Sequence, residues 1–363
     1  MEGLEAQLWL PLVGLFAGTI LGYAARVSRF CTLSALERHW YAGDSTGLRT
    51  WVLATASAII ATQALSLAGL IDLSSSFYLS SSFGLSGAVI GGLLFGFGMA
   101  LVGTCGFGAV VRLGGGSLRS LIVLLVLGLA ALATQRGVMG QVRVLAVDDM
   151  AINLSFAGDQ SLGSIVSAVL GADLHAPVAM LVAGSLLVWV FRDGSYRRRP
   201  RIAAAGIVIG LVIAFGWLAT SLAAGSSFAP VQIEAGSFVV PVGDLILQII
   251  AVTGTWPDYG VGLVAGTLVG AALGAWRRRD VRWEACDDAR ELGRHLTGGA
   301  MMGIGGVFAM GCTVGQGLSA ASALAISAPV AMASIALGAR MGLGWLLEGS
   351  AIAPFRRPGL PAE

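Results

Sequence analysis

Apolar residues in this chain run in long stretches, separated by short segments that carry most of the polar and arginine residues. A helix that crosses a ~30 Å hydrocarbon layer needs about 20 mostly apolar residues. The stretches 8–25, 50–71, 84–104, 118–134, 176–191, 202–219, 259–275, 298–311 and 328–347 answer that description. Two are short: 298–311, and the part of the third, 91–105, that leads into Cys105. A further apolar stretch, 238–252, is interrupted by Pro241 and Asp244 and reads as interfacial or re-entrant. The pattern predicts an all-α, polytopic helical membrane protein with about nine transmembrane helices and additional short re-entrant ones.

Composition agrees. Of 363 residues 56% are hydrophobic and only 12% charged, with a mean hydropathy of +0.83, where a soluble domain carries about 25% charged residues. That excludes a soluble enzyme, a disordered chain and a nucleic-acid binder. The net charge of +2 gives no global field. All 22 basic residues are Arg. Without Lys no P-loop of the GxxxxGK[ST] type exists, which rules out ATP-driven transport by this chain alone. The opening MEGLE places Glu2 and Glu5 where a cleavable signal would be basic.

Arginine also sets the expected orientation. With the N-terminus outside, 19 Arg fall in inward segments, from Arg26 to Arg357, and only Arg136 and Arg143 fall outward, while Arg340 lies within the last span. This predicts an N-terminus outside and a C-terminus in the cytoplasm.

Residues 13–22 (VGLFAGTILG) and 261–270 (VGLVAGTLVG) agree at seven of ten positions. A second pattern runs through the chain. Gly18 and Gly22, Gly92 and Gly96, and Gly299 and Gly303 are each followed, nine residues after the second glycine, by Cys31, Cys105 and Cys312. Gly266 and Gly270 form a degenerate copy with Arg279 in the cysteine position. GxxxG alone signals close helix packing in lipid, but packing does not explain a cysteine at constant offset. The unit bearing Cys105 runs inward and that bearing Cys312 outward, the mark of an inverted repeat with its site between halves. The expected organisation is a first half over 1–135, a connecting segment with one span over 136–201, and a second half over 202–363.

The four cysteines are far apart and form no CxxC pair, which argues against a disulfide framework or a zinc ribbon. From Gly91 to Cys105 and from Gly298 to Cys312 is about 21 Å of helix, short of the opposite membrane face. Glycines crowd both cysteines: Gly103, Gly106 and Gly108 around the first, Gly311, Gly315 and Gly317 around the second. The helices should break there, inside protein or along a cavity. New helical stretches at 32–41, 106–118 and 313–325 would then aim their N-termini at the thiols. Helix N-termini favour anions, and thiols are soft, weak donors. Three such thiols suit an anion with a sulfur-bearing end. Arg112 would draw an anion at the inner mouth or fix topology, and Arg340 is an intramembrane charge that is functional or snorkels. Gln316 would share the Cys312 face of a helix. His295 belongs to the cytoplasmic boundary, and Cys286, in an Arg-rich segment, is a plain cytoplasmic thiol.

GFGMALVGTCGFGAVVRLGGGS (96–117) and GGVFAMGCTVGQGLSAAS (305–322) resemble the two signature segments of YeeE/YedE-type sulfur transporters. SRFCTLSALE (28–37), followed by GDSTGLRTWVLATASAIIATQAL (43–65), is similar to its YedE-like branch. The resemblance implies a thiosulfate permease and no enzyme or cofactor. Its pseudo-symmetric halves would hold a central pathway with Cys31, Cys105 and Cys312 as steps, along which the ion passes by S–H···S contacts without a covalent bond. It also implies a small cytoplasmic TusA/SirA-like sulfur carrier as receiver. The chain departs from the family pattern at Gln316, where His is common, and at Gly115, where an acidic residue is common. The resemblance to the YedE-like branch leaves open a transporter of a selenium compound, and residue chemistry leaves open a quinone-coupled membrane thiol-redox protein and a soft-metal carrier.

Overall fold

The computed structural model describes residues 2–227, 231–251 and 256–351. Fifteen helices follow one another: α1 (Glu2–Ser28), α2 (Thr32–Ala42), α3 (Thr46–Leu67), α4 (Leu85–Val102), α5 (Gly106–Gly114), α6 (Leu118–Gln135), α7 (Gly140–Arg143), α8 (Leu162–Leu170), α9 (His175–Phe191), α10 (Gly194–Arg197), α11 (Pro200–Ser226), α12 (Val240–Ile250), α13 (Tyr259–Arg277), α14 (Ala289–Phe308) and α15 (Ser327–Glu348). Among the described residues the only sheet is a two-residue pair, Ser82–Phe83 with Ile152–Asn153, which ties the connecting segment to the chain before α4. Among the described residues seven spans are long and apolar enough to cross a membrane, two of them, Trp9–Ala42 and Leu85–Gly114, continuing through a break into α2 and α5. His175–Phe191 and Val240–Ile250 are shorter apolar helices. Each of the nine apolar stretches falls on a helix, and 238–252 contains α12. The fold is that of a multi-pass helical membrane protein.

Capping follows local sequence. The Asp258 carboxylate accepts the Val261 N–H at 2.8 Å to start α13, and Asp288 accepts that of Glu291 at 2.6 Å to start α14. Pro200 sits in the first turn of α11, where its missing N–H costs nothing.

Glycine seams hold the bundle together. On α1 and α13 the glycines of the two matching decapeptides face each other: a Cβ on Gly18 would overlap the Leu263 carbonyl, and one on Gly266 that of Leu15. The same holds between α4 and α15, where a Cβ on Gly96 would overlap the Ile335 carbonyl and one on Gly338 that of Leu93. Backbones this close gain dispersion contacts that lipid cannot match.

Arginines gather at one end of the bundle. There Arg26 meets Asp280 at 3.1 Å, and Arg119 bridges Glu284 and Glu291 at 2.6 and 2.9 Å. The opposite end carries Asp244, paired with Arg136 at 3.4 Å, and is covered by the connecting segment. Arg356 and Arg357, counted toward the inward total, lie outside the described residues.

The seam predicts that Gly266→Leu overpacks α1 against α13 and destabilises the bundle by roughly 1–3 kcal/mol or more. This would be read as a lower melting midpoint of the purified protein in detergent. Gly293→Ala, where a Cβ meets nothing within 4 Å, should leave the midpoint unchanged or raise it.

Candidate functional site: a line of thiols at helix breaks

Each of the three repeated units ends in the same backbone event. A residue in the left-handed region stops the helix two positions before the cysteine: Arg29 (φ 55°), Gly103 (φ 78°) and Met310 (φ 54°). The cysteine then caps the helix that follows. Cys31 precedes α2 and Cys105 precedes α5, both in extended conformation. Cys312 precedes a helical turn that opens into a π-helical stretch, Gly315–Ala320. In the second unit glycine takes the left-handed position at no steric cost. In the third Met310 takes it, and Gly311 follows at φ 155°. The helix expected over 106–118 stops at Gly114, because Gly116 turns at φ 101° against the Arg282 carbonyl. The stretch expected over 313–325 ends at Ser322, and Leu324 in the turn that follows is left-handed at φ 59°.

The cap is made by sulfur. Cys105 Sγ accepts the Gly108 N–H at 3.4 Å, and Cys312 Sγ accepts the Gly315 N–H at 3.5 Å, the same i+3 geometry in both. Cys31 faces the Ser34 N–H at the same offset without closing the bond. Cys105 and Cys312 are fully buried and Cys31 is half-buried. The Cys31 and Cys105 thiols lie near one another. Thr104 Oγ1 lies 3.8 Å from Cys31 Sγ, and the Thr313 hydroxyl adjoins Cys105. Cys312 is met by the backbone N–H of Phe238 and the Ser237 hydroxyl. Rings run beside this line, with centroids 5.2 Å apart for Trp51 and Phe30, 6.4 Å for Phe30 and Phe107, and 4.8 Å for Phe107 and Phe238.

Gly106 opens α5 with a bare Cα, so that the Phe238 carbonyl passes where a Cβ would stand 3.0 Å from it. Gly108 supplies the capping N–H to Cys105 and Gly315 the one to Cys312. Gln316 is buried and fully engaged: its Nε2 donates to the Ala309 carbonyl at 2.7 Å, and its Oε1 accepts from Ser327 Oγ at 3.2 Å. It clamps the broken helix α14 to the start of α15. Arg112 donates to the Gly103 carbonyl at 2.8 Å, so it closes the end of α4 while facing the cavity below Cys31. Arg340 stands apart from the thiols, with its guanidinium 5.2 Å from the Trp40 ring centroid on α2.

Two cavities of about 280 Å³ each flank the line. The one at the arginine end is lined by Cys31, Arg26, Arg29, Arg38 and Arg112, with Asp280 its single carboxylate. The one at the other end is lined by Glu234, Asp244, Asp258, Gln135 and Arg143, and it reaches Ser237 and Gly311 beside Cys312. Roomier apolar grooves of about 470 and 630 Å³ lie on the flanks of the bundle and touch none of the three thiols.

A family model described as Sulphur transport matches residues 27–341. The chain belongs to that family. This is the YeeE/YedE family, and the match takes in all three cysteine units. Among curated relatives, the Thiosulfate transporter TsuA of Spirochaeta thermophila is 26% identical over 356 residues, covering 92% of this chain and 98% of the relative. The Thiosulfate transporter TsuA of Escherichia coli is 26% identical over 318 residues, covering 85% of this chain and 86% of the relative. Family and fold together make this member a membrane transport protein for sulfur.

Sequence reasoning passed over Tyr78, Thr104, Ser237, Phe238 and Thr313. The signal for two of them was adjacent: a threonine precedes Cys105 and another follows Cys312. Ser237 and Phe238 reach the line only through tertiary folding of residues 231–239. Cys286 lies away from the line, and burial together with nearby Glu291 pushes its thiol pKa up.

Replacing Gln316 with Leu strands the Ala309 carbonyl and is expected to destabilise the protein by about 1–3 kcal/mol, seen as a lower detergent melting midpoint. Cys286→Ser should leave both that midpoint and uptake of the transported sulfur species at the level of the unaltered protein.

Proposed function

We propose that this chain imports thiosulfate, or a closely related small sulfur-containing anion, across the bacterial cytoplasmic membrane. The anion moves from Cys312 to Cys105 to Cys31, held at each step by S–H···S contact without a covalent bond, and the protein performs no catalysis on it. The observation that carries this reading is the repeated cap: two buried thiols, each fixed by the N–H three residues on, at the start of a helix that favours negative charge. The names of the two relatives support the substrate. Electrostatics supports the direction, because the cavity below Cys31 holds four arginines against one aspartate. The 19 to 2 arginine split supports placing that end in the cytoplasm, with the N-terminus outside. Gly106, Gly108, Gly311 and Gly315 shape the passage, Gln316 holds it, and Arg112 draws the anion out. Arg340 acts at a distance, through Trp40 on the helix that Cys31 caps. The shared break geometry and the seam between α1 and α13 support pseudo-symmetric halves over 1–135 and 202–363. A TusA/SirA-like carrier at the arginine basin, expected from the resemblance, would take up the ion.

A thiol-redox reading draws on one observation, the proximity of Cys31 and Cys105. It requires a Cys31–Cys105 disulfide that forms and breaks with turnover, which thiol trapping under mild oxidation detects.

A bacterium without other sulfur uptake routes, given this chain and thiosulfate as sole sulfur source, should grow. Cys105→Ala and Cys312→Ala should abolish growth at equal membrane levels. Cys105→Ser, which keeps size and a hydroxyl but not the soft contact, should abolish it as well. Growth of the serine variant at the normal rate would remove the relay.

A further inference from the structure

Among the buried polar side-chain atoms that make no hydrogen bond in the described residues, two hydroxyls stand against the thiol line: Tyr78 Oη and Thr313 Oγ1. Both residues are at least 98% buried. Buried polar groups ordinarily find partners, and an unmet one at a functional site calls for an explanation.

The Tyr78 hydroxyl is held in place beside the Ser237 hydroxyl without closing a well-formed hydrogen bond to it. Tyr78 lies in a one-turn helix, Phe77–Leu79, started by Ser76 Oγ accepting the Tyr78 N–H at 3.3 Å. Its ring is packed between Phe77, with centroids 4.0 Å apart, and the edge of Trp217, at 6.2 Å. Trp217 is fixed in turn by its indole N–H, which donates to Ser322 Oγ at 2.9 Å. The phenol therefore cannot swing away to find another acceptor. Its oxygen points at Gly315: a Cβ there would stand 2.8 Å from Tyr78 Oη and 3.3 Å from Ser237 Oγ. Gly315 is the residue whose N–H caps Cys312. One soft sulfur and a cluster of hard donors thus meet at the end of the carboxylate-lined cavity. One step further on, Thr313 repeats the pairing beside Cys105.

We infer that Tyr78, with Thr313 at the next step, is a specificity-determining residue that donates its hydroxyl hydrogen to the oxygens of the transported anion while the thiol takes its terminal sulfur. The inference rests on the transport reading above and names what that reading lacks, a reader for the oxygen end. The pathway accordingly selects sulfur oxyanions with a terminal sulfur over soft anions that have no oxygens, such as hydrosulfide. The hydroxyl is the donor that the ligand satisfies, and a hydrogen bond to a charged acceptor is among the stronger kind.

The test uses the full chain purified into liposomes and the influx of radiolabelled thiosulfate. Tyr78→Phe removes only the oxygen. It should raise the KM for thiosulfate about tenfold or more while the maximal rate stays within about twofold. Its melting midpoint without thiosulfate should hold or rise, since an unmet polar atom is gone, while stabilisation by added thiosulfate is lost. Hydrosulfide should compete better, relative to thiosulfate, in the variant than in the unaltered protein. Should Tyr78→Phe fail to insert, Thr313→Val carries the same three readings. Normal thiosulfate influx with an unchanged KM in the variant overturns this inference and leaves the transport reading standing. No thiosulfate influx by the unaltered protein overturns both.

Discussion

A helix that stops inside a membrane leaves its last carbonyls and the first N–H groups of the next helix without partners, and lipid offers none. The architecture answers that constraint in the same way at two of the three breaks. The carbonyl of Gly103 takes a hydrogen bond from Arg112, and that of Ala309 takes one from Gln316. The freed N–H groups of Gly108 and Gly315 go to the sulfurs of Cys105 and Cys312. A thiol is a weak acceptor, so these N–H groups are underused. Weak caps suit a pathway, since an anion can share the same donors without first breaking a strong bond.

The ends of the line differ in charge more than its middle does. Between the carboxylate-lined cavity and the arginine basin lie thiols, hydroxyls, aromatic rings and backbone, and among the described residues no charged side chain hydrogen-bonds Cys105 or Cys312. Arg112 sits at the boundary, half structural and half facing the basin. On the proposed route a fixed cation deeper in the line would bind an anion too well to release it, whereas thiols and N–H dipoles would hold it at moderate strength.

Much of this was legible in the sequence for a physical reason. Helix existence follows from apolar run length, and each of the nine runs lies on a helix. The breaks were legible because glycine crowding and the short run from Gly91 to Cys105 both pointed to a helix ending at the cysteine. Exact ends were not: Gly114 closes α5 early because Gly116 must turn beneath Arg282, a contact from a segment more than 150 residues away. Gln316 shares its stretch with Cys312 as the spacing suggested, but its partners, Ala309 and Ser327, come from the chain on either side and turn it into a clamp. Tyr78, Ser237 and Phe238 carry no motif at all. They sit in irregular segments whose position is set by packing, and periodicity says nothing about such segments.

The glycine seams have a mechanical consequence. On α1 with α13, and on α4 with α15, each glycine is a notch that receives a carbonyl of the facing helix, and several notches engage at once. Sliding one helix along the other would lift every carbonyl out of its notch together and drive it against the next side chain. These pairs therefore behave as welded struts. On the proposed thiol route, motion that passes a cargo between Cys312 and Cys31 would be confined to the pieces outside the struts: the short helices after each break, the 231–239 segment, and single side chains. The moving parts of the protein are thus smaller than one of its spans.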